Sequence, residues 1–230
     1  MSTESAALSF LSIVSLVGFF VCLITKNFSS RIGGGALLDQ DFEKPQAFHK
    51  DSIPRSGGLA AIVSLIVFFI MYYLLFEKLL IDYIFLSISM FLLGFFEDLK
   101  FKISPNYRLL LMIIILLFFT IFFSVKIKAF DLDFLNTLMH NPIFADLFIL
   151  LCFLFIINGA NLVDGFNGLL TIHLLIINSV LLLVNLDNGH QGFSLIIGAQ
   201  ILFLLSFLLF NYPKATMFLG DSGSYLFGSL

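Results

Sequence analysis

Residues 57–76 read GGLAAIVSLIVFFIMYYLLF, an apolar run without a charged side chain. A transmembrane α-helix needs about 20 such residues, so this run alone is long enough to cross a bilayer. The rest of the chain has the same character, with 60% hydrophobic and 12% charged residues among 230 and a mean hydropathy of +1.06. Because soluble domains carry about 25% charged residues, the composition excludes a soluble domain and predicts a protein that crosses the membrane several times.

Further apolar runs lie on both sides of this one, at residues 6–25, 79–96, 109–125, 143–157, 169–186 and 193–210. Another run begins near Ser222 and meets the end of the sequence at Leu230. The predicted fold class is therefore all-α, a polytopic transmembrane helical bundle with about seven complete spans and a truncated eighth. We expect residues 1–230 to form a single integral-membrane domain that is incomplete at its C-terminus. Asp221 is then expected to lie on an unsupported, fraying helix start.

Polar segments interrupt the apolar runs at residues 49–58, 97–108, 158–168 and 218–224. Neighbouring segments are separated by an even number of spans, so all of them are predicted to face the same side of the membrane. That side also holds most of the 12 Lys and Arg residues, namely Lys26, Arg31, Lys44, Lys50, Arg55, Lys100, Lys102, Arg108 and Lys214. Because cytoplasmic loops carry an excess of Lys and Arg, the polar segments are predicted to be cytoplasmic.

An acidic pair, Glu97 and Asp98, stands where the third apolar run ends. Basic side chains follow it, and Pro105 predicts a turn in the same segment. Mg²⁺ binds through one or two carboxylates together with substrate phosphates. A solvated charge pair at a helix end is the alternative reading, but acids and bases around one turn favour a site for a metal and a phosphate.

Polar residues recur every three positions in the third segment, at Asn158, Asn161, Asp164 and Asn167. On a helix, residues three apart share a face. Helix capping explains one or two such residues and not all of them, so the spacing favours a functional site. Gly159, Gly165 and Gly168 of this segment are predicted to allow close approach of another backbone.

The first and fourth segments add a cation and an acid to the same side. In FLGDSGS, Asp221 lies between two glycines at the mouth of the last run, where a helix cap is the alternative. The N-terminus of that helix would offer free N–H groups to an anion. In HKDSIPRSGG, His49, Lys50 and Arg55 are predicted phosphate partners, and retention of positive charge in the cytoplasm is the alternative.

With these residues in place, the chain resembles the polyprenyl-phosphate N-acetylhexosamine-1-phosphate transferase family. HKDSIPRSGG resembles the family's first cytoplasmic motif and GFFEDLKFKISPNYRLL resembles its acidic-pair motif. NGANLVDGFNGL resembles its NxxxDGxDGL motif, and FLGDSGS resembles its FxGDxGS motif. The motifs occur in the family's order and cover nearly the whole chain.

The resemblance implies transfer of an N-acetylhexosamine 1-phosphate from a UDP-sugar to undecaprenyl phosphate, with release of UMP. It implies Mg²⁺ as cofactor, with Mn²⁺ left open, and a multi-pass protein of the bacterial inner membrane with a cytoplasmic active site. The implied partners are UDP-N-acetylhexosamine, undecaprenyl phosphate and membrane lipid, with a homodimer left open and no nucleic acid. The step would be the first membrane step in the synthesis of O-antigen or another cell-envelope polysaccharide.

Residue roles carry over from the motifs by similarity. Asp221 would bind the metal with Asn161 close to it. The catalytic residues would be Asp98, which activates the lipid phosphate, with Glu97 beside it and Asp164 on the nucleotide side. Phe218 would stack on uracil, and the substrate-binding residues as a set would be Lys50, Arg55, Asn158, Asn167 and Phe218.

Two departures from the family pattern leave alternatives open. Glu97 and Asn167 stand where the family usually has Asp, which favours the O-antigen branch over the phospho-MurNAc-pentapeptide transferase of peptidoglycan synthesis. The identity of the sugar stays open, as does the choice between direct attack and a covalent phospho-enzyme. A secondary transporter is the alternative from a different class, and its polar groups would be expected near the bilayer midplane.

Overall fold

The computed structural model describes residues 3–29, 31, 35–39, 52–101, 103–127 and 130–230. Its helices are α1 Thr3–Phe28, α2 Gly57–Phe76, α3 Ile81–Asp98, α4 Pro105–Phe122, α5 Asp133–Met139, α6 Pro142–Val163, α7 Leu169–Asp187, α8 Gln191–Asn211 and α9 Gly220–Ser229. One short antiparallel pair joins β1 Leu38–Asp39 to β2 Ile53–Pro54. The predicted all-α class is confirmed.

Within the described residues, six helices are long and apolar enough to cross a membrane. The matching spans are Ser9–Phe28, Gly57–Phe76, Pro105–Phe122, Pro142–Val163, Leu169–Asp187 and Gly192–Asn211. The remaining predicted span corresponds to α3, which has 18 residues and carries Asp82 in its first turn and the acidic pair in its last. Polar side chains at both ends of an apolar helix suit the two interfaces of a bilayer.

Helix α9 lies in the middle of the bundle, packed against α2, α3 and α6. Its residues from Ser222 to Ser229 are buried. The expectation that Asp221 lies on an unsupported, fraying helix start is therefore wrong, because three neighbouring helices surround this short helix. One hydrophobic cluster joins α9 to α1, α2 and α8, and a second joins it through Tyr225 to α3, α4 and α6.

Glycine makes this central packing possible. A Cβ on Gly94 of α3 would fall on the backbone of Asp221 and Ser222, and a Cβ on Gly58 of α2 would fall on Ser222 and Gly223. A Cβ on Gly228 would lie 2.9 Å from the Cα of Ile157 in α6. Three helices thus approach α9 at backbone distance.

Two elements differ from the sequence prediction. Helix α6 continues past residue 157, where the predicted span ends, to Val163, so Asn158 and Asn161 lie on the same helix as the span. The polar side chains end the hydropathy signal there, but they do not interrupt the backbone hydrogen bonding. The connection between α4 and α6, for which no helix is predicted from the sequence, contains the short helix α5, where Thr137 donates to the carbonyl of Asp133 at 3.0 Å.

Candidate functional site

The Asp98 carboxylate, at the end of α3, binds the first turn of α9. Its Oδ1 accepts a hydrogen bond from the backbone N–H of Asp221 at 3.0 Å. Its Oδ2 accepts from the backbone N–H of Ser222 at 2.9 Å and from the Ser222 hydroxyl. The first N–H groups of a helix have no partner within the helix, and the residue before α9, Leu219, has no side chain that can accept. Asp98 therefore caps α9 from another helix.

This cap changes one expectation from the sequence. The N–H groups at the start of α9 were expected to face a substrate anion, but the anion that they bind is the Asp98 carboxylate. A negative charge is favourable at a helix N-terminus. Gly220 precedes the contact with φ +78, and a Cβ there would lie 2.7 Å from Asp98 Oδ2. Only glycine fits both the left-handed backbone and the close carboxylate.

The Asp221 side chain meets α6 at the same place. Asn161 donates from Nδ2 to Asp221 Oδ1 at 2.5 Å and to the Ser224 hydroxyl at 2.9 Å. Asp221 itself is half-buried, whereas Asp98 is almost fully buried. The third and fourth polar segments are thus joined to the second through Asp98, Asp221 and Asn161.

The first polar segment joins them through backbone hydrogen bonds. The N–H of Phe218 donates to the carbonyl of Pro54 at 2.8 Å, and the N–H of Gly57 donates to the carbonyl of Phe218 at 2.9 Å. On its other edge β2 pairs with β1, and the N–H of Arg55 donates to the carbonyl of Leu37 at 2.8 Å. We call these three aligned stretches, 37–39, 53–57 and 218–219, the entrance ladder. It fixes Arg55 relative to the start of α9.

Arg55 supplies a cation to the described part of the site. Its Nη1 lies 4.0 Å from Asp98 Oδ1, and its Nε and Nη2 bind Asp39. Burial alone would lower the pKa of the Arg55 guanidinium. The hydrogen bond to Asp39, its charge, and the charges of Asp98 and Asp221 instead raise that pKa above its usual value.

Asp164, the residue at the C-terminal cap of α6, adds a further carboxyl group. Burial raises the pKa of Asp164 well above its usual range, and the charges of Asp221 and Asp98 raise it further, while Arg55 acts in the opposite direction. With Asp39, four carboxyl groups and one guanidinium thus interact within the described part of the site.

Glu97 lies outside this group of carboxylates. Its carboxylate forms an ion pair with Arg108 of α4, and the Arg108 guanidinium lies 5.8 Å from the centre of the Tyr225 ring. Glu97 Oε2 and the Tyr225 hydroxyl are buried and have no hydrogen-bond partner among the described residues. The acidic pair therefore divides, since Asp98 binds α9 and Glu97 binds α4.

The remaining predicted site residues are less closely joined to the centre. Asn158 donates to the carbonyl of Leu154 in its own helix at 2.8 Å, and Asn167 donates to the carbonyl of Pro213 at 3.2 Å. Phe218 contributes both backbone groups to the entrance ladder and has a half-buried side chain. His49 and Lys50 lie outside the described residues.

Sequence reasoning missed the partners of the charged residues. Ser222 and Ser224 both bind site carboxyl or amide groups, yet the sequence presents them only as part of a small-residue turn. In the sequence Asp39 stands close to two further acids, Asp41 and Glu43, and nothing there singles it out as the one that contacts Arg55. The available signal was the position of Ser222 directly after Asp221, from which its hydroxyl can reach the carboxylate that the Asp221 backbone N–H contacts.

The donors present fit Mg²⁺ that is shared with a phosphate ligand. Among the described residues, no group of three or more His, Cys, Asp or Glu side chains could hold a metal ion by itself. Mg²⁺ commonly takes one or two carboxylates and completes its coordination with water and phosphate oxygens. A divalent cation here would offset the effect by which Asp221 and Asp98 raise the pKa of Asp164. Asp221 would supply the carboxylate, with Asn161 beside it.

Relatives of this chain carry names that agree with this chemistry. An undecaprenyl-phosphate alpha-N-acetylglucosaminyl 1-phosphate transferase of Thermotoga maritima is 26% identical over 215 residues, covering 94% of this chain and 60% of the relative. A phospho-N-acetylmuramoyl-pentapeptide-transferase of Streptococcus pneumoniae is 28% identical over 208 residues, covering 85% of this chain and 62% of the relative. One of the same name from Dictyoglomus turgidum is 29% identical over 226 residues, covering 93% and 70%.

The family model for glycosyl transferase family 4 matches residues 80–230. The match includes Asp98, Asn161, Asp164 and Asp221, and it covers more than half of the chain. The chain spans 60% and 62% of the length of the first two relatives. The matched region, the apolar helices and the carboxylate site agree, and the chain belongs to glycosyl transferase family 4.

Proposed function

We propose that the protein transfers a sugar 1-phosphate of the N-acetylhexosamine type from a UDP-sugar to undecaprenyl phosphate and releases UMP. The observation that supports this most directly is the meeting of Asp98, Asp164, Asp221, Asn161 and Arg55 at one end of an apolar bundle. The names of the relatives support the same substrates. The proposed setting is the bacterial cytoplasmic membrane with the site on the cytoplasmic side, since that side carries most of the Lys and Arg residues.

In the proposed reaction, an oxygen of the lipid phosphate attacks the phosphorus that carries the sugar. A new P–O bond forms, the bond between that phosphorus and the oxygen bridging to UMP breaks, and UMP leaves with the electron pair. Mg²⁺, when bound, would neutralise the diphosphate and make UMP a better leaving group. Arg55 would hold a phosphate oxygen, and Asp98 would keep Asp221 in position through the start of α9.

Direct attack is preferred to a covalent phospho-enzyme for a geometric reason. The Asp98 side chain is fully buried, and both of its oxygens already accept hydrogen bonds from α9. A carboxylate in that state is a poor nucleophile, because attack would strand the donors that it binds. Catalysis then depends on positioning and electrostatic stabilisation of two phosphates.

Two classes of donor remain candidates. Relatives named for N-acetylglucosaminyl 1-phosphate transfer and for phospho-N-acetylmuramoyl-pentapeptide transfer both match. The assay therefore follows UMP release from UDP-GlcNAc, UDP-GalNAc and UDP-MurNAc-pentapeptide, with undecaprenyl phosphate and Mg²⁺. A transporter is not favoured, because the carboxylates and Arg55 meet at helix ends and not in the middle of a span.

The decisive variant is Asp221→Asn, which keeps the size of the side chain and removes its charge. We expect turnover to fall by about 10²-fold or more, as when one electrostatic contact to a phosphoryl-transfer site is lost. The remaining activity should need a higher Mg²⁺ concentration. Near-normal turnover with an unchanged Mg²⁺ requirement would exclude Asp221 as the metal ligand. Absence of UMP release from every donor by the full-length protein without substitutions would reject the proposed function itself.

A further inference from the structure

Asp39 engages one edge of the Arg55 guanidinium. A single oxygen, Asp39 Oδ2, accepts from Nε at 3.1 Å and from Nη2 at 2.8 Å. The side chains are 10% exposed for Asp39 and 28% exposed for Arg55, so this ion pair is shielded from water. Charge-assisted hydrogen bonds in such a setting are stronger than those between neutral groups.

The other edge of the guanidinium faces the carboxylate site. Nη1 lies 4.0 Å from Asp98 Oδ1, which is at the limit of an ion pair and too long for a hydrogen bond. A guanidinium has five N–H donors in a rigid plane, so fixing the Nε and Nη2 edge also fixes the direction of the Nη1 and Nη2 end. That end can form two parallel hydrogen bonds to a phosphate.

We propose that Asp39 is a positioning residue that holds Arg55 with its terminal edge turned toward the site, ready to bind a phosphate of the substrate. This inference rests on the proposed function, because the anion would be one of the two phosphate substrates. Asp39 does not touch the reacting atoms. Its effect is to remove the rotational freedom that the Arg55 side chain would otherwise lose on binding.

A purely structural role for Asp39 predicts something different. The stretch 37–39 is also held by backbone pairing with β2, by the bond from Arg55 N–H to the Leu37 carbonyl, and by Lys100. The Lys100 ammonium donates to the Leu38 carbonyl at 3.1 Å. If Asp39 only held the stretch 37–39 in place, then loss of the Lys100 hydrogen bond should affect substrate binding as much as loss of the Asp39 charge does. Lys100→Gln is therefore the matched control.

The kinetic test compares Asp39→Asn, Asp39→Glu, Arg55→Gln and Lys100→Gln in membranes. For Asp39→Asn we expect the KM of one phosphate substrate to rise about tenfold with little change in kcat, since a ground-state contact is weakened. Asp39→Glu should restore part of the loss, and Lys100→Gln should leave both constants near those of the parent. Adding Asp39→Asn to Arg55→Gln should cause no further change, because the residue to be positioned is gone.

A binding measurement decides the proposal without turnover. Thermal unfolding of the purified protein is followed with Mg²⁺ and inorganic pyrophosphate. The parent and Lys100→Gln should be stabilised by pyrophosphate, and Asp39→Asn should lose most of that shift. If no UDP-sugar is turned over, the proposed function fails and this measurement alone judges Asp39. Equal shifts in the parent and in Asp39→Asn, equal losses in Asp39→Asn and Lys100→Gln, or no shift in the parent would each overturn the inference.

Discussion

The Asp98 carboxylate accepts hydrogen bonds from two backbone N–H groups and one hydroxyl of α9. An Asn side chain at this position would offer one oxygen and one NH₂ group, so one N–H donor of α9 would face another donor. A buried donor without a partner costs about 1–3 kcal/mol. The charge of Asp98 and the position of Asp221 are therefore linked, and a change at residue 98 acts on both.

For the two acidic residues at the end of α3, we predict that Asp98→Asn abolishes UMP release, whereas Glu97→Asp keeps substantial activity. Glu97 pairs with Arg108 at a partly exposed position. The shorter Asp side chain would weaken this ion pair and leave α9 in place. Activity is measured together with the thermal unfolding of each variant in detergent. Asp98→Asn should also lower the unfolding temperature. If Glu97→Gln reduces turnover more than Asp98→Asn does, the two acids have the opposite roles.

Among the helices, the packing of α9 depends on glycines in the neighbouring helices. Gly94→Ala would place a methyl group against the backbone of Asp221 and Ser222. Backbone cannot move aside as a flexible side chain can, so α3 and α9 would be pushed apart. Forced overpacking typically costs about 1–3 kcal/mol, and here it also displaces the metal-binding candidate.

The chain offers a matched control in Gly159, a helical glycine of α6 with nothing within 4 Å of an added Cβ. We predict that Gly94→Ala lowers the unfolding temperature, while Gly159→Ala leaves it unchanged or raises it. Replacing a helical glycine by Ala gains about 0.5–1 kcal/mol when space is free. Thermal unfolding in detergent is the measurement. Equal stability of the two variants would mean that α3 and α9 are not in backbone contact.

The glycines also show where sequence reasoning reached its limit. Gly159, Gly165 and Gly168 were expected to permit close backbone approach, but an added Cβ would meet nothing at Gly159 and only a carbonyl 3.9 Å away at Gly165. At Gly168 it would meet a side chain, 3.0 Å from the ring of Tyr212. Close backbone approaches occur instead at glycines outside this segment, including Gly57, Gly58, Gly94 and Gly228. A glycine in an apolar run carries no local sign of what it faces, because its neighbour comes from a distant part of the chain.

At the scale of the whole molecule, all polar segments are predicted to face the cytoplasm. Cysteines placed at Ser52, Ser104 and Thr216 should resist a membrane-impermeant thiol reagent in intact cells, and one at Thr137 should react. All these positions are exposed, and the native Cys22 and Cys152, which are replaced beforehand, are buried and half-buried. Labelling on lysed cells controls for reactivity. The reverse pattern would invert the topology.

Hydropathy was sufficient for most of the architecture, because crossing a bilayer constrains length and composition directly. Motif order was sufficient to select Asp98, Asn161, Asp164 and Asp221, which the structure brings together. Neither hydropathy nor motif order could predict the hydrogen-bond partners of these residues. Asp98 contacts Asp221 and Ser222 of α9, which lie 123 and 124 positions later in the chain. The contact of Asp39 with Arg55 depends on how a two-residue strand pairs. Such details follow from packing and leave no periodic signal.

The cap on α9 has a consequence for how the protein is made. A membrane chain emerges from the ribosome with its N-terminal part first, so Asp98 enters the bilayer surface long before the donors that will bind it exist. Until α9 arrives, this carboxylate stands among helices whose glycine surfaces are uncovered. The candidate site is therefore expected to be complete only once α9 has packed against α2, α3 and α6 and has brought its hydrogen-bond donors to Asp98.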